Sequence, residues 1–236
     1  MTRVRLVWSS ERSVHLMVPA EGDASPGLRV ARVAAALRSA RIPGVLDLTP
    51  ASTTIQIELD PHAPDPEAVA NRSLTIAERA LAANARAAPT REISVPVCYD
   101  ADLGPDLASL AADAGMHPKE AAKRHASDAY AVRFLGFSPG FAYLDGLAPE
   151  LHAPRLGTPR TRVPAGSVGI AGSRTGIYPQ ATPGGWRLIG ATPLRVFDAS
   201  RERPSLFEPG DRVRFHAVTR AAFDEIAAEQ GRRDDD

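Results

Sequence analysis

The sequence predicts an α+β protein built from two domains, and three observations support this. Its 236 residues are enough for one large domain or two small ones. The first hundred residues alternate between strand-like and helix-like patterns, whereas the rest reads mainly as short strands between turns. Glycine and proline are concentrated in the second part, with 19 of the 39 between Gly136 and Pro193. We therefore expect one domain over residues 1–97 and another over residues 98–236.

The first domain reads as strand, strand, helix, strand, strand, helix, strand, the split βαβ pattern with one extra strand at its start. Its first helix, Gly27–Ala40, carries an apolar face and ends before Pro43. The second helix begins at Asp65-Pro66, where Asp caps the first turn and Pro suits the first helical position, and is expected to reach about Ala87. The predicted strands are Val4–Trp8, Ser13–Val18, Val45–Leu48, Thr53–Leu59 and a closing strand, Glu92–Val97.

The second domain is predicted to be a small β-barrel or sandwich, because short strand-like runs follow one another with turns between them. Two short helices precede these strands, at about 105–114 and 118–125, and a last helix begins near Thr219. The predicted strands are Tyr130–Leu135, Val168–Ala171, Trp186–Ile189, Leu194–Phe197 and Arg212–Val218.

Composition and charge exclude several classes of function. The 28 Lys and Arg balance the 28 Asp and Glu, so the basic surface of a nucleic-acid-binding protein is missing. A single cysteine, Cys98, and six scattered histidines offer neither a disulfide nor the ligand spacing of a metal site. No apolar run is long enough to cross a bilayer, and the start lacks a signal peptide. We expect a cytoplasmic protein without a metal, a nucleic-acid partner or a membrane anchor.

Residues Gly136–Gly140 match G-x-S-x-G, the nucleophile motif of α/β-hydrolases. In that motif the residue after the serine donates its backbone N–H to the oxyanion. Here that residue is Pro139, which has no N–H. The motif therefore predicts a turn, and Ser138 is not expected to be a nucleophile.

The glycine-rich segment allows a functional and a structural interpretation. Gly166, Gly169 and Gly172 recur at every third position without the pattern of a phosphate-binding loop. They indicate either a tight turn that admits a neighbouring backbone or a loop that presents N–H groups to a ligand. Arg160, Arg162 and Arg174 flank them, and guanidinium groups beside open amides suit a carboxylate or phosphate. Solvated arginines are the alternative.

Two further residues keep open interpretations. Trp186 follows a double-glycine turn, where it either packs in the core or stacks on a ligand. His125 is the histidine best placed for acid–base work, although a structural role is the more common one for a lone histidine. The sequence does not assign a catalytic residue. His125 and Arg162 are the two candidates for that role.

Four segments resemble one known family, namely Phe134–Leu144, Thr158–Ile170, Thr175–Pro179 and Thr182–Gly190. They are similar to the B subunit of 5-oxoprolinase, a family also described as allophanate hydrolase subunit 1 or as a sporulation kinase inhibitor. Segments Val95–Tyr99 and Gly104–Leu107 resemble the family too, and Ile42–Val45 does so more weakly, so the likeness spans nearly the whole chain.

The resemblance implies a ferredoxin-like domain followed by a cyclophilin-like β-barrel. It implies two partners, the carboxyltransferase-like C subunit of 5-oxoprolinase and its third component, the A subunit. Together they open 5-oxo-L-proline to L-glutamate at the expense of ATP. ATP is then a co-substrate of the complex, which this chain need not contact, and no biotin is expected on the chain. Other relatives act in urea amidolyase or bind and inhibit a sensor histidine kinase, and fold alone does not choose among these roles.

For an enzyme subunit, the expected contribution is part of a composite site that holds the lactam or its phosphorylated form. Arg162 and the amides of the glycine-rich loops are expected to hold the anion, between apolar walls. A binding module would use the same surface without chemistry. The expected substrate-binding residues are Pro139, Gly140, Phe141, Tyr143, Arg162, Gly166, Ser167, Gly172, Thr175, Gly176, Tyr178, Gly184, Gly185 and Trp186.

Overall fold

A computed structural model describes residues 3–19, 26–83 and 91–235 of the chain. It divides the chain into two compact units, Met1–Thr90 and Arg91–Asp236. Each unit has its own sheet, helices and hydrophobic core. The predicted α+β class is therefore confirmed.

The first unit consists of a four-stranded antiparallel sheet and two helices. The sheet has the order β1-β2-β4-β3. Ile55 and Ile57 alternate with exposed residues along one strand and lie in the same core as Leu37 of the first helix. The Asp65 side chain accepts a hydrogen bond from Ala68 N at 2.9 Å, which confirms the predicted helix cap. The elements are β1 (Arg5–Ser10), β2 (Ser13–Met17), α1 (Pro26–Ala40), β3 (Val45–Pro50), β4 (Thr54–Leu59) and α2 (Pro66–Ala82).

The second helix is shorter than expected. It ends at Ala82, and part of its predicted extension to Ala87 lies outside the described residues. Arg79 lies in its last turn, where a cation is favourable beside the helix dipole.

The second unit is built on a seven-stranded sheet that curls into a half-barrel, with the order β12-β9-β10-β7-β6-β13-β5. A two-stranded sheet, β11-β8, accompanies it. The strands are β5 (Glu92–Val97), β6 (Ala129–Leu135), β7 (Ala142–Asp145), β8 (Arg160–Val163), β9 (Ser167–Ala171), β10 (Arg174–Ile177), β11 (Thr182–Gly184), β12 (Arg187–Ala191) and β13 (Arg212–Ala217). The helices are α3 (Leu107–Asp113), α4 (Pro118–Ser127) and α5 (Arg220–Asp235), with a 3-10 turn at Pro149–Leu151.

The predicted domain boundary at Val97 is wrong, because β5 belongs to the second unit. It pairs in parallel with β13 from Glu92↔Arg212 to Ala217↔Val97, and its Val95 and Val97 are fully buried in the larger core. In the first unit, β2 pairs with β1 on one side and with β4 on the other. A hairpin between neighbouring strands closes a very short loop, which costs little entropy.

The strand predicted at Leu194–Phe197 is also wrong, since this segment is a loop with an isolated bridge between Phe197 and Ser205. In turn, the sequence analysis missed β7, β8, β10 and β11. These strands contain three or four residues each, and glycine or proline interrupts two of them. Such short runs show too few alternating positions to be recognised as strands.

The pairing of β5 leads to a test with two fragments. We expect residues 91–236 to fold as an isolated fragment, whereas residues 98–236 should be markedly less stable. Removal of Val95 and Val97 takes away about 1.5–3 kcal/mol of hydrophobic stabilisation for each side chain. The total free energy of unfolding of a typical domain is only roughly 5–15 kcal/mol. Urea unfolding followed by circular dichroism measures the difference. Equal midpoints for the two fragments would support the boundary at Val97 instead.

Candidate functional site

Four aromatic residues of the predicted site form one cluster on the seven-stranded sheet. Phe141 lies at its centre, with its ring 5.0 Å from Tyr143, 5.3 Å from Tyr178 and 5.3 Å from Trp186 between ring centroids. All three contacts are edge-to-face, the geometry that aromatic pairs prefer. Phe141, Tyr178 and Trp186 are buried, so Trp186 takes the core-packing role of the two that were open.

Two of the predicted glycines serve this aromatic cluster. A Cβ on Gly176 would lie 3.1 Å from the Phe141 ring and 3.2 Å from the Trp186 ring, and a Cβ on Gly184 would meet the Tyr178 hydroxyl at 2.5 Å. Any larger residue would push the rings away from the strands. These two glycines therefore make room for the aromatic side chains.

The other glycines of the predicted site have different neighbours. Gly140 packs on Phe197, Gly166 approaches the Thr192 carbonyl, and Gly185 packs on Pro159. Gly172 is exposed with no atom within 4 Å of its Cβ position. Ser167 is buried, and its carbonyl accepts a hydrogen bond from Tyr178 N at 2.9 Å.

The aromatic cluster continues into a partly exposed surface that carries charge. The Phe134 ring stacks on Tyr143 with centroids 4.4 Å apart, because the two residues are register partners on β6 and β7. The Arg174 guanidinium lies 6.0 Å from the centre of the Phe134 ring. Asp145 binds Arg174 Nε at 2.9 Å and Arg133 Nη1 at 2.6 Å. We call these five residues the aromatic–arginine surface.

This surface is positively charged overall, with two guanidinium groups and one carboxylate. Burial raises the pKa of the Tyr143 hydroxyl, and nearby Arg155 and Arg174 only partly oppose the shift, so Tyr143 stays protonated. Asp145 is engaged by both arginines and is not available as a base. The surface can thus bind an anion beside a flat apolar face, but it contains no group poised to move a proton.

The catalytic candidate His125 is a structural histidine. It is fully buried on α4 and stacks on Phe215 with centroids 4.7 Å apart. Thr175 Oγ1 donates to the Gly169 carbonyl at 3.0 Å, so it accepts from His125 Nε2 at 2.9 Å. Nδ1 then accepts from the Tyr99 hydroxyl at 2.7 Å. One neutral tautomer satisfies every bond, and neither His125 nor Thr175 is open to a substrate.

The other candidate, Arg162, is exposed on β8 and makes no ion pair within the described residues. Val163, the next residue, is fully buried in the aromatic cluster with Trp186. Successive side chains of a strand point to opposite faces. Arg162 therefore lies on the face of Arg160, which binds Asp106 at 2.7 Å, and away from Trp186. This placement does not favour a composite site that contains both Arg162 and Trp186.

The G-x-S-x-G segment is a tight turn, as expected. Phe141 N donates to the Ser138 carbonyl at 3.0 Å, and Phe137 has a left-handed backbone with φ of 70°. The Phe137 side chain is 61% exposed, while Ser138 Oγ is buried without a hydrogen-bond partner among the described residues. Pro139 and Gly140 border a groove of about 540 Å³ with Phe197 and neighbouring residues.

Two kinds of site are not found in the described part of the chain. In residues 3–19, 26–83 and 91–235 no three His, Cys, Asp or Glu residues are grouped so that they could hold a metal ion. Within the same ranges, no helix combines the length and the apolar character that a membrane span requires.

Sequence reasoning found the aromatic rings but missed Phe134, Arg133 and Asp145. Arg174 was considered as an anion-binding residue beside the glycines, without its aromatic and acidic neighbours. The missing signal is tertiary: β6, β7 and β10 are neighbours in the sheet, which brings residues from three strands together. A recognisable β7 and β10 would have placed Tyr143 beside Gly176.

The family model for the carboxyltransferase domain, subdomain C and D, matches residues 4–207, and the chain belongs to this family. The 5-oxoprolinase B subunit of Escherichia coli O157:H7 is 41% identical over 91% of this chain and 96% of its own length. That of Bacillus subtilis strain 168 is 46% identical over 55% of this chain and 54% of its own length.

Solved structures show the same architecture within longer chains. The crystal structure of TTHA0988 matches with a TM-score of 0.74 and 38% identity, over 88% of this chain and 40% of that one. This chain therefore spans less than half of that protein. The K. lactis urea amidolyase matches with a TM-score of 0.72 over 96% of this chain and 15% of its own, and its 18% identity indicates a shared fold alone.

The buried His125 predicts a loss of stability in mild acid. Burial lowers its pKa from 6.5 to about 3, so between these values the unfolded chain binds a proton that the folded chain does not. This stability is complete above pH 6.5 and is lost as the pH falls toward 3, by about 2 kcal/mol at pH 5. Urea unfolding from pH 7.5 to 4.5 measures the slope.

The control for this pH dependence is a pair of variants. His125→Gln should be less stable at pH 7 and should show a shallower slope, because the titrating group is gone. His216→Gln, which changes an exposed histidine, should keep the slope of the native chain. An unchanged slope in His125→Gln would show that this histidine takes up a proton as readily in the folded state as in the unfolded state.

Proposed function

We propose that this chain is the B subunit of an ATP-dependent 5-oxoprolinase, which opens 5-oxo-L-proline to L-glutamate. The observation that carries the proposal is the 41% identity with the E. coli protein, which extends over nearly all of both chains. The aromatic–arginine surface supports it, because its chemistry suits this substrate. We also propose that the complex works in the cytoplasm.

The aromatic–arginine surface is the part of the chain that we assign to the substrate. 5-Oxoproline is a small flat lactam with one carboxylate. Arg174 is held by Asp145 at 2.9 Å and so presents its remaining N–H groups in a fixed direction. An arginine pairs with a carboxylate through two parallel hydrogen bonds. The stacked rings of Phe134 and Tyr143 offer a flat apolar face to the lactam.

The reaction requires more than this surface provides. In the proposed sequence ATP transfers its γ-phosphoryl group to the lactam oxygen, water adds to the carbonyl carbon, and the C–N bond opens to the amine. A second water then releases phosphate. These steps need a base and a site for ATP, and the surface holds protonated Tyr143 and a paired Asp145 instead. We therefore propose a composite site in which the carboxyltransferase-like C subunit and the third component, the A subunit, supply the missing groups.

Other roles are supported by specific observations. The exposed Phe137 and the apolar groove beside it suit a module that docks a protein, such as a sensor histidine kinase that it would inhibit. The 34% identity with Lachancea kluyveri urea amidolyase over 40% of this chain supports a component of an allophanate hydrolase or urea carboxylase system. Both are alternatives to the oxoprolinase.

For the fold, we propose that the first unit is a variant of the ferredoxin-like arrangement, in which β1 replaces the closing strand. We propose that the second unit is a cyclophilin-like half-barrel. The antiparallel order β1-β2-β4-β3 and the curled seven-stranded sheet support these assignments.

Two arginine variants separate the possible anion sites. In the three-subunit enzyme, Arg174→Ala should lower kcat/KM by about 10- to 100-fold, as the loss of a charged hydrogen bond does. Arg162→Ala, the matched control from the glycine-rich segment, should change it less than about twofold. Steady-state glutamate release measures both. A loss confined to Arg162→Ala would place the anion at the glycine-rich loops.

The separate components of the complex give a second test. This chain alone should release no glutamate from 5-oxoproline, because its surface lacks an acid–base group. Mixed with the C subunit it should elute as a stable complex in size-exclusion chromatography, and addition of the A subunit with ATP should produce glutamate. If the full mixture is inactive while this chain suppresses autophosphorylation of a histidine kinase, the docking role replaces the enzymatic one.

A further inference from the structure

Arg155 is an exposed arginine beside the aromatic–arginine surface, and the substrate contacts proposed above do not use it. Within the described part of the chain, its side chain forms neither an ion pair nor a hydrogen bond. Three other arginines of the second unit, Arg160, Arg174 and Arg187, are each bound to an aspartate. Arg155 therefore keeps its five N–H donors for solvent or for a ligand.

Main-chain hydrogen bonds fix the segment that carries Arg155. At one end, Ala153 and Gly172 exchange two backbone hydrogen bonds, of 3.3 and 2.7 Å. At the other end, Leu156 N donates to the Gly185 carbonyl at 2.8 Å. Because backbone groups hold both ends, the point at which Arg155 leaves the chain does not depend on its own side chain. Binding of a ligand then has only the arginine side chain to order.

Two arginines from different segments lie near the Tyr143 hydroxyl. Arg174 is on β10, and the pairing of Gly176 with Tyr143 places it on the same face of the sheet, two residues along the strand. Arg155 comes from the segment that is anchored at the residue before Trp186, whose ring is 5.7 Å from that of Tyr143. Burial raises the pKa of the Tyr143 hydroxyl more than the two guanidinium groups lower it. The hydroxyl is thus a neutral donor beside two cations.

The proposed reaction produces a ligand with two anionic groups. The lactam itself has one carboxylate, and its phosphorylated form adds a phosphoryl group on the lactam oxygen. The ring carbons that carry these two groups are both bonded to the ring nitrogen, so the groups are close together but separate. Arg174 is already bound to Asp145 and suits the singly charged carboxylate. The unpaired Arg155 suits the more highly charged phosphoryl group.

We propose that Arg155 binds the phosphoryl group of the phosphorylated lactam while Arg174 holds its carboxylate, an inference that rests on the oxoprolinase function proposed above. The exposure of Arg155 agrees with this role, because ATP and the partner subunits reach the surface from solvent. In the unphosphorylated lactam, Arg155 has no anionic group to bind. It therefore stabilises the phosphorylated state and contributes little to the binding of 5-oxoproline itself.

Kinetics of the three-subunit enzyme test this division of roles. Arg155→Ala should lower kcat by about 10- to 100-fold and change the KM for 5-oxoproline less than about twofold, because it acts only on the phosphorylated state. Arg155→Lys keeps the charge but loses the fork, so it should recover part of the loss. The matched control is Arg203→Ala, since the Arg203 side chain is 73% exposed on the loop between β12 and β13. A native kcat in Arg155→Ala, or an equal loss in Arg203→Ala, would overturn the proposal.

A binding experiment with the full-length chain alone separates this proposal from the oxoprolinase function. The probe is 3-phosphoglycerate, which carries a carboxylate and a phosphate on a short carbon chain, and inorganic phosphate is the comparison. Calorimetry should show tighter binding of the probe than of phosphate. Arg155→Ala should weaken binding of the probe at least about tenfold, and Arg203→Ala should leave it unchanged.

Two outcomes of the binding experiment would contradict the role of Arg155. One is that the native chain does not bind the probe, and the other is that the native chain and Arg155→Ala bind it equally well. If the native three-subunit mixture is inactive while Arg155→Ala loses the probe, the oxoprolinase function is wrong and the anion site at Arg155 stands.

Discussion

Close packing of the Phe141 ring against Tyr178 and Trp186 is the interaction on which the second unit's outer face depends. The rings reach this distance only because Gly176 and Gly184 carry no side chain. Val163 of β8 is buried in the same cluster, so the packing also holds the two-stranded sheet against the seven-stranded one. Tyr143 is left half-buried at the margin, where it becomes part of the aromatic–arginine surface.

The packing of this aromatic cluster distinguishes residues that the sequence analysis treated as one group. From the sequence, both the aromatic residues and the glycines were candidates for contact with a ligand. In the structure, rings that need the glycines are buried, and the half-buried Phe134 and the exposed Phe137 lie outside that set. The arginines near the glycines also differ from one another. Arg174 lies over the half-buried Phe134 ring, whereas Arg160 forms an ion pair with Asp106.

Much of the fold was predictable from local signals. The cap at Asp65, the alternation of Thr54–Leu59 and the turn at Gly136–Gly140 are encoded in neighbouring residues. The sheet to which β5 belongs was not predictable. Its partner strand β13 is distant in the sequence, and an edge strand of either sheet could have formed hydrogen bonds with β5. The role of His125 was equally hidden. Its bonds reach Tyr99 on one side and Thr175 on the other, and no spacing rule connects them.

The parallel pair of β5 and β13 also has a consequence for synthesis of the chain. Arg91 and Asp211, an ion pair beside these strands, are separated by 120 residues. During translation, β5 emerges from the ribosome long before its partner exists, with an apolar stretch of Val95, Pro96 and Val97 uncovered. Contacts of such long range slow folding and leave an open strand that can associate with other chains. The larger sheet is therefore completed only after β13 has been synthesised.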